Sequence, residues 1–357
     1  MFTREQITAF FYTTPHWQMS PDAEAANQHG KDWAVQMRLV RSDQGERMVN
    51  AWNIGISAAC AYPRARGAAL DLITDWVTWA LFHDDNLGSI YHDPRRTAPI
   101  IEETVRVIHS APSADGSPPP TGADRALKDV LRRAEEMMSP AWMRRFRHSL
   151  EGLQRGNFAK SVALALGRPL SLEEIFAIRR DDIGMLAPMM MIELFEGFEL
   201  PETLAFSRPL RTMQDKLSEA IAIQNDVFSL ARDRTDAESG HNADSALNTV
   251  LALEHLDSRP PEEALLAARA LYHDRLDAFD QAEADFLHLC EILKTGPEDS
   301  RLIDHYLTDM QDLIPGTCHA HLAVARYLHD HPTDYVPASS ELLPDHNHPL
   351  PTLRRMA

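Results

Sequence analysis

Apolar residues recur every three or four positions along most of this chain, from about residue 23 to residue 330. That spacing places them on one face of an α-helix, whereas a half-buried strand would alternate apolar and polar residues. We find no alternating stretch that is bounded by turn signals. The pattern therefore predicts an all-α protein of about twelve helices, at residues 23–40, 44–61, 64–83, 97–109, 123–137, 139–157, 172–197, 209–233, 242–256, 261–292, 299–313 and 316–330.

Three segments interrupt the helical pattern and set the expected domain boundaries. Residues 110–122 combine Ser, Pro and Gly, and residues 234–244 are mainly polar, so both are predicted to be loops. The segment from 333 to 357 is rich in Pro and His and is expected to be disordered. With no internal repeat, the sequence predicts one helical domain over residues 1–332 and a tail over residues 333–357.

The composition allows a full hydrophobic core but disfavours two classes of partner. Of the 357 residues, 44% are hydrophobic, which is enough to bury a core. The formal net charge of −18 disfavours nonspecific binding to nucleic acid or to an anionic membrane surface. An anionic substrate would have to meet cations or a metal ion in its own binding site to overcome this charge.

The cysteines and the apolar runs favour a cytoplasmic protein. Cys60, Cys290 and Cys318 are scattered and no Cys-x-x-Cys pair occurs, so neither a zinc site nor a disulfide framework is predicted. The first residues lack the charged and then apolar pattern of a secretion signal. The longest apolar run, residues 183–192, is too short to span a bilayer, so no stable membrane insertion is expected.

A stripe of oxygen donors lies within the predicted helix 209–233. Asn225, Ser229 and Asp233 are spaced at i, i+4 and i+8, so their side chains share one helix face. An amide oxygen, a hydroxyl and a carboxylate are the hard ligands that suit Mg²⁺. Arg232 lies beside the stripe, where it could hold an anion that the metal also holds. Taken alone, the stripe is better explained as the exposed polar face of a helix.

A second acidic cluster ends the apolar helix predicted at 64–83. Asp84 and Asp85 are adjacent, so their carboxylates repel each other and a divalent cation would stabilise them. A lone Asp-Asp pair is more often a solvated helix end, and only the combination with the first stripe makes a metal site the better hypothesis.

Two basic motifs complete the set. Arg179 precedes Asp182 and Ile183 in a predicted helix that Gly184 could break, exposing backbone dipoles to a cavity. Local Arg–Asp pairing on a surface would explain this motif equally well. Near the end of the last predicted helix stand Arg326 and Tyr327, and a guanidinium with a neighbouring phenol suits a diphosphate.

Together the four features resemble the class I terpene synthases in their bacterial form, over roughly residues 15–330. The stripe is similar to the family's Asn-Asp-x-x-Ser-x-x-x-(Glu/Asp) metal motif, with Arg232 at its basic position. Asp84 and Asp85 resemble the aspartate-rich motif. Arg179 stands 225 − 179 = 46 positions before Asn225, the spacing of the family's pyrophosphate-sensing arginine.

The same resemblance gives Asp182 the linker position, Ile183 the effector position and Arg326-Tyr327 the terminal Arg-Tyr pair. Ala61-Tyr62-Pro63 and Asn248-Thr249-Val250 are supporting matches.

The resemblance also implies an activity. It implies an α-bundle around a central cavity in which Mg²⁺, expected as three ions, drives ionisation and cyclisation of a prenyl diphosphate with release of diphosphate. It places the metal on Asp84, Asp85 and the 225–233 stripe, and it implies a homodimer. The carbocation would need a dry cavity with apolar and aromatic walls. Candidate lining residues are Trp79, Leu81, Met185, Met189 and Phe228, although ordinary core packing explains each of them as well.

The sequence departs from the family pattern at four positions, one of which is Ile183, because the effector position is commonly small. Gly88 stands where a third acid is usual, with Asn86 and Asp93 as candidate substitutes. Leu81 and Ala320 stand where aromatic residues are usual, so ring volume is missing unless His319, His321 or Trp79 fills it. The missing volume slightly favours a C20 geranylgeranyl-type substrate over a C15 farnesyl-type one.

Three other interpretations stay open at this point. The doublets His83-Asp84, His92-Asp93, His273-Asp274 and His329-Asp330 would suit a metal-dependent phosphohydrolase of the His-Asp type, but leave the 225–233 stripe unexplained. A prenyl chain-elongating enzyme would need a second aspartate-rich motif in place of that stripe. A non-enzymatic helical interaction protein would need none of these residues.

Overall fold

The structure is a computed structural model that describes residues 10–11, 17–40, 43–88, 90–110, 121–238, 245–256 and 258–323. Within these ranges it contains α-helices and one short 3-10 helix, at Ser245–Leu247, and no strand. The helices are α1 (Ala23–Gln36), α2 (Asp43–Trp52), α3 (Ile54–Ala61), α4 (Gly67–Gly88), α5 (Pro94–His109), α6 (Gly122–Met137), α7 (Pro140–Leu166), α8 (Leu172–Asp182), α9 (Leu186–Glu196), α10 (Glu202–Ala205), α11 (Arg208–Glu238), α12 (Thr249–Leu256), α13 (Pro261–Leu293) and α14 (Pro297–Ala323).

The predicted all-α architecture is confirmed, but two predicted helices are divided. The segment 172–197 forms α8 and α9, because Gly184 has φ of +70° and ends the first helix. Pro188 then lies in the first turn of α9, where its missing N–H costs no hydrogen bond. The segment 44–61 forms α2 and α3, separated by Asn53 in the left-handed conformation with φ of +50°.

Other predicted helices end too early, and one helix was predicted as two. α4 continues through Gly88, so Asp84 and Asp85 belong to its last turns and do not follow it. α7 continues to Leu166 and not to residue 157. The predicted break between helices 299–313 and 316–330 is wrong, because α14 continues through Pro315 and is described as far as Ala323. Arg326, Tyr327 and the predicted tail over 333–357 lie outside the described residues.

The helices pack around one extensive apolar core. Its members come from α1 through α14, and α11 packs along much of the length of α13. α14 packs closely on α3, where a side chain at Gly316 would meet the Cys60 carbonyl oxygen at 2.5 Å. Capping boxes at Thr121 and Ser171 fix the starts of α6 and α8. Among the described helices, none is long and apolar enough to cross a membrane.

Candidate active site

A cavity of about 240 Å³ lies inside the bundle, between α3, α4, α7, α8, α9, α11 and α14. The charged residues of its described lining form an array of two ion-paired groups, one running from Asp84 through Lys160, Asp182 and Arg179 to Asp226 and the other made of Arg232 and Asp233, and the remaining wall is mainly apolar. The array contains Asp84, Lys160, Arg179, Asp182, Asp226, Arg232 and Asp233.

Asp233 on α11 is buried, with 2% of its surface exposed, and both of its carboxylate oxygens accept hydrogen bonds. Its Oδ2 accepts hydrogen bonds from Ser229 Oγ at 2.6 Å and from Asn248 Nδ2 at 2.9 Å. Its Oδ1 accepts from Arg232 Nε at 3.1 Å and from Arg232 Nη2 at 3.0 Å. Hydrogen bonds from neighbouring side chains therefore fix Asp233 in the stripe. Ser229 does not line the cavity itself but is hydrogen-bonded to Asp233, which does.

Asn248 connects the stripe to the next helix. Its Oδ1 accepts from the backbone N–H groups of Val250 and Leu251 at 3.0 and 3.2 Å and so caps α12. Its Nδ2 donates to Asp233 and to the Asp226 carbonyl at 2.8 Å. One amide thus fixes both the start of α12 and the carboxylate of Asp233, which gives the Asn248-Thr249-Val250 match a structural role.

Asn225 has its amide orientation set from α14. Its Nδ2 lies 3.3 Å from His321 Nε2, and His321 Nδ1 lies 2.7 Å from the Thr317 carbonyl oxygen. Burial lowers the pKa of His321 to about 4, so the ring is neutral near pH 7. A neutral ring that donates from Nδ1 to a carbonyl must accept at Nε2. The Asn225 Oδ1 is therefore turned toward Arg179 and accepts a hydrogen bond from Arg179 Nη2 at 3.1 Å.

Arg179 joins α8 to α11 and is 7% exposed. Nη1 donates to Asp182 at 2.8 Å, and Nη2 donates to Asp226 at 2.8 Å. Burial raises the pKa of Asp226, and the positive charge of Arg179 opposes that rise. Asp226 also accepts from the Thr249 backbone N–H at 2.9 Å. Asp226 was not among the predicted site residues, although it is the second residue of the Asn-Asp-x-x-Ser motif.

The α4 side of the array is more open. The side chain of Asp84 is 36% exposed, and it accepts a hydrogen bond from the Tyr91 hydroxyl at 3.0 Å. Asp85 is half-buried and does not line the cavity. Asp93 caps α5 by accepting from the Arg95 backbone N–H at 3.1 Å, so its carboxylate serves a helix terminus. Gly88 is exposed at the end of α4.

Lys160 on α7 is a cavity residue that the sequence did not suggest. Its side chain is 3% exposed, and Nζ lies 3.9 Å from Asp84 Oδ1 and 3.8 Å from Asp182 Oδ1. It was missed because the helix was predicted to stop at residue 157, which left Lys160 in a connecting segment. A continuous helix would have placed it one turn beyond Asn157, which also lines the cavity.

The apolar wall differs from the predicted one. Leu81 and Met185 line the cavity as expected, together with Ile183 and Ala320. Trp79, Met189 and Phe228 are buried core residues outside the lining, so that part of the prediction is wrong. Trp79 stacks on His83, which does line the cavity, and His319 stacks on Trp17. The other rings in the described lining are Tyr62, Trp76 and His321, and His321 is the predicted ring that does reach the cavity.

Known proteins match this chain over most of its length. A model of the family described as "Terpene synthase family 2, C-terminal metal binding" matches residues 75–278, which is more than half of the 357 residues. The chain belongs to this terpene synthase family. Metal binding is part of the family's description, and residues 75–278 contain Asp84, Arg179 and the 225–233 stripe.

The relatives are bacterial terpene synthases. Isoafricanol synthase of Streptomyces malaysiensis is 26% identical over 324 residues, covering 87% of this chain and 79% of the relative. The (-)-beta-caryophyllene synthase of Saccharothrix espanaensis, named as cyclizing (2E,6E)-farnesyl diphosphate, is 27% identical and covers 87% and 86%. The solved structure of wild-type cucumene synthase is 25% identical, with a TM-score of 0.73, and covers 87% of this chain and 99% of that one.

These matches establish a class I terpene synthase and decide between the four interpretations of the sequence. They favour neither a His-Asp phosphohydrolase nor an interaction protein. In the described part of the chain, no three His, Cys, Asp or Glu side chains form a group that could hold a metal.

Proposed function

We propose that this terpene synthase ionises and cyclises a prenyl diphosphate with the help of Mg²⁺ and releases diphosphate. One observation carries the proposal: Asp84 of α4, Asn225 and Asp233 of α11 and the sensor candidate Arg179 all line the same, otherwise mainly apolar cavity. Such a cavity provides a charged end for a diphosphate and a dry end for a hydrocarbon cation.

The charge of the described lining supports a need for metal. Four carboxylates oppose three cations, so their formal sum is −4 + 3 = −1, and a diphosphate would add further negative charge. Bound Mg²⁺ would supply positive charge and act as a Lewis acid on the departing diphosphate. The donors that would hold it are Asn225, Ser229 and Asp233 on one side and Asp84, with Asp85 beside it, on the other. The number of three ions remains part of this proposal.

The chain's own cations would bind the leaving group. Arg179 is held in place by Asp182 and Asp226, so its guanidinium needs no reorganisation when diphosphate arrives. Arg232 lies beside Asp233 in the lining and would bind a second set of phosphate oxygens. We extend the same role to Arg326 and Tyr327, which lie outside the described residues.

The break between α8 and α9 would serve the positive charge that forms on the hydrocarbon. Ile183 and Gly184 line the cavity directly after the C-terminus of α8. The carbonyl groups of a last helical turn lack helical partners and carry the negative end of the helix dipole. They would stabilise a cation at this point, while Tyr62 and Trp76 offer aromatic faces farther along the wall.

Two observations favour a C15 substrate over the C20 substrate that the sequence slightly favours. The cavity of about 240 Å³ lies below the range of about 300–1,000 Å³ that is usual for ligand pockets. A relative is also named for the C15 compound (2E,6E)-farnesyl diphosphate. Leu81 and Ala320 do line the cavity, so the space left by the missing rings keeps C20 as the alternative.

The test is incubation of the purified protein with C10, C15 and C20 diphosphates, followed by gas chromatography and mass spectrometry. We expect a cyclic terpene from the C15 diphosphate, formed with Mg²⁺ and abolished by a chelator, with one diphosphate released for each product. Hydrolysis to phosphate without a terpene would contradict the proposal. A product from the C20 diphosphate alone would keep the reaction but reverse the chain length.

A further inference from the structure

Lys160 is a buried ammonium between the two acidic sides of the cavity. Its side chain leaves α7 and crosses the ring of Tyr91, with Nζ 4.2 Å from the ring centroid. From there Nζ lies 3.9 Å from Asp84 on α4 and 3.8 Å from Asp182 on α8. These distances exceed the 2.7–2.9 Å or so of a direct charged hydrogen bond, so the ammonium lies between the carboxylates and not on either one.

The burial of this lysine requires compensation. Lysine is almost never fully buried unless it is paired, because removing its charge from water is costly. Asp182 already pairs with Arg179 at 2.8 Å, and Asp84 already accepts from Tyr91. The negative charges of the two carboxylates stabilise the buried ammonium of Lys160. Lys160 is also part of the cavity lining.

The position of Lys160 matters because the neighbouring acidic motif is incomplete. A metal ion on Asp84 would share that carboxylate with the ammonium, and like charges at short range repel. Gly88 offers no carboxylate that would offset this repulsion. The α4 side of the cavity therefore holds one fixed cation and fewer acidic ligands than the aspartate-rich motif has.

We propose that Lys160 binds the diphosphate group directly and carries part of the positive charge that the aspartate-rich motif would otherwise supply as bound metal. Lys160 is then a binding residue of the diphosphate site, alongside Arg179. This inference rests on the proposed function, because it needs a diphosphate in the cavity.

The experiment measures pyrophosphate and metal separately. Inorganic pyrophosphate is titrated into the full chain with saturating Mg²⁺ in a calorimeter, and Mn²⁺ binding without pyrophosphate is followed by electron paramagnetic resonance. The main variant is Lys160→Gln, which can still donate to both carboxylates but has no charge. Lys160→Met is the second variant, since its stem keeps the contact with Tyr91. The control, Arg155→Gln, removes one charge from an exposed position on the same helix.

The two titrations should change in opposite directions. We expect Lys160→Gln to weaken pyrophosphate binding by about tenfold or more while Mn²⁺ binds as tightly as in the wild type or tighter. The control should stay within about twofold of the wild type in both titrations, as expected for an exposed charge. Because a general structural defect would weaken both ligands, only a direct role predicts this separation.

A loss of pyrophosphate affinity below about fivefold in the variant that folds would overturn the inference. Parallel weakening of pyrophosphate and Mn²⁺ by the same factor would overturn it too. The proposed function is tested by a different measurement. A wild-type chain that makes no terpene would contradict the proposed function, even if it still bound pyrophosphate through Lys160. Conversely, a normal terpene yield with Lys160→Gln would remove Lys160 from the site and leave the proposed function intact.

Discussion

The two acidic walls of the cavity are built differently. On α11, Asp233 is 2% exposed and receives hydrogen bonds from Ser229, Arg232 and Asn248. On α4, the side chain of Asp84 is 36% exposed and has Tyr91 and Lys160 as neighbours. The α11 wall is therefore preorganised within the fold, whereas the α4 wall is open and lacks a third acid.

The difference follows from where each wall lies along its helix. The stripe on α11 is covered by α12 and by the α13 packing, so its polar groups had to find partners inside the protein. Asp84 and Asp85 lie near the end of α4, where solvent can satisfy part of their hydrogen bonding. A preorganised wall spends less free energy on reorganisation when the charge develops, so we expect catalysis to depend more on α11.

The largest effect is expected at Asp233. Asp233→Asn keeps the shape but removes the charge that pairs with Arg232 and that, in our proposal, holds a metal ion, so kcat/KM should fall by about a hundredfold to a thousandfold. Steady-state assays with the C15 diphosphate measure this loss. The matched control is Asp215→Asn on the same helix, where a partly exposed carboxylate pairs with Arg211. Equal losses for both variants would contradict a specific role.

A smaller loss is expected on the open wall. Asp84→Asn should lower kcat/KM by about tenfold to a hundredfold, because in our proposal Lys160 would still bind the diphosphate and the α11 stripe would still hold metal. The same assay run beside Asp233→Asn measures the ratio of the two losses. If Asp84→Asn were the more damaging variant, the proposed difference between the walls would be wrong.

The third acid that the α4 wall lacks can be introduced by substitution at Gly88. A Cβ at Gly88 would meet nothing within 4 Å, and Gly88 is one helical turn beyond Asp84. Gly88→Asp should therefore fold and reduce the Mg²⁺ concentration for half-maximal rate by about threefold. Gly296→Asp is the control, because Gly296 also has open space around it and precedes α14. An unchanged Mg²⁺ dependence would mean that the missing acid does not limit this wall.

The smallest effect concerns Asp93, the other candidate for the third acid. Since its carboxylate caps α5, Asp93→Ala should destabilise the protein by about 1 kcal/mol. Thermal unfolding measures that loss. The Mg²⁺ concentration for half-maximal rate should stay unchanged, and a clear increase would instead make Asp93 a metal ligand.

The sequence predicted what depends on spacing within one helix. Asn225, Ser229 and Asp233 were placed correctly on one face, and the break at Gly184 was anticipated, because both follow from local geometry. The cavity-facing side of α4 was less well predicted, since Trp79 was chosen. Counting back from Asp84 by four and eight residues would have given Ala80 and Trp76, which do line the cavity.

What depends on contacts between distant segments could not be predicted. Lys160 meets Asp84 and Asp182 only because α4, α7 and α8 converge at the cavity, so a correct end of α7 would have placed Lys160 on the helix without predicting these partners. Asn248 gave only a short sequence match, and its two roles became apparent from its bonds to Asp226 and Asp233. The domain boundary at residue 332 and the homodimer stay predictions.

The most direct test is a crystal structure of the chain with Mg²⁺ and pyrophosphate. The account predicts one ion coordinated by Asn225, Ser229 and Asp233 at about 2.0–2.3 Å, with these side chains close to their present positions. It also predicts that Asp84 moves more than Asp233 on binding. Metal ions held elsewhere, or an α11 stripe that rearranges as much as α4 does, would contradict the account.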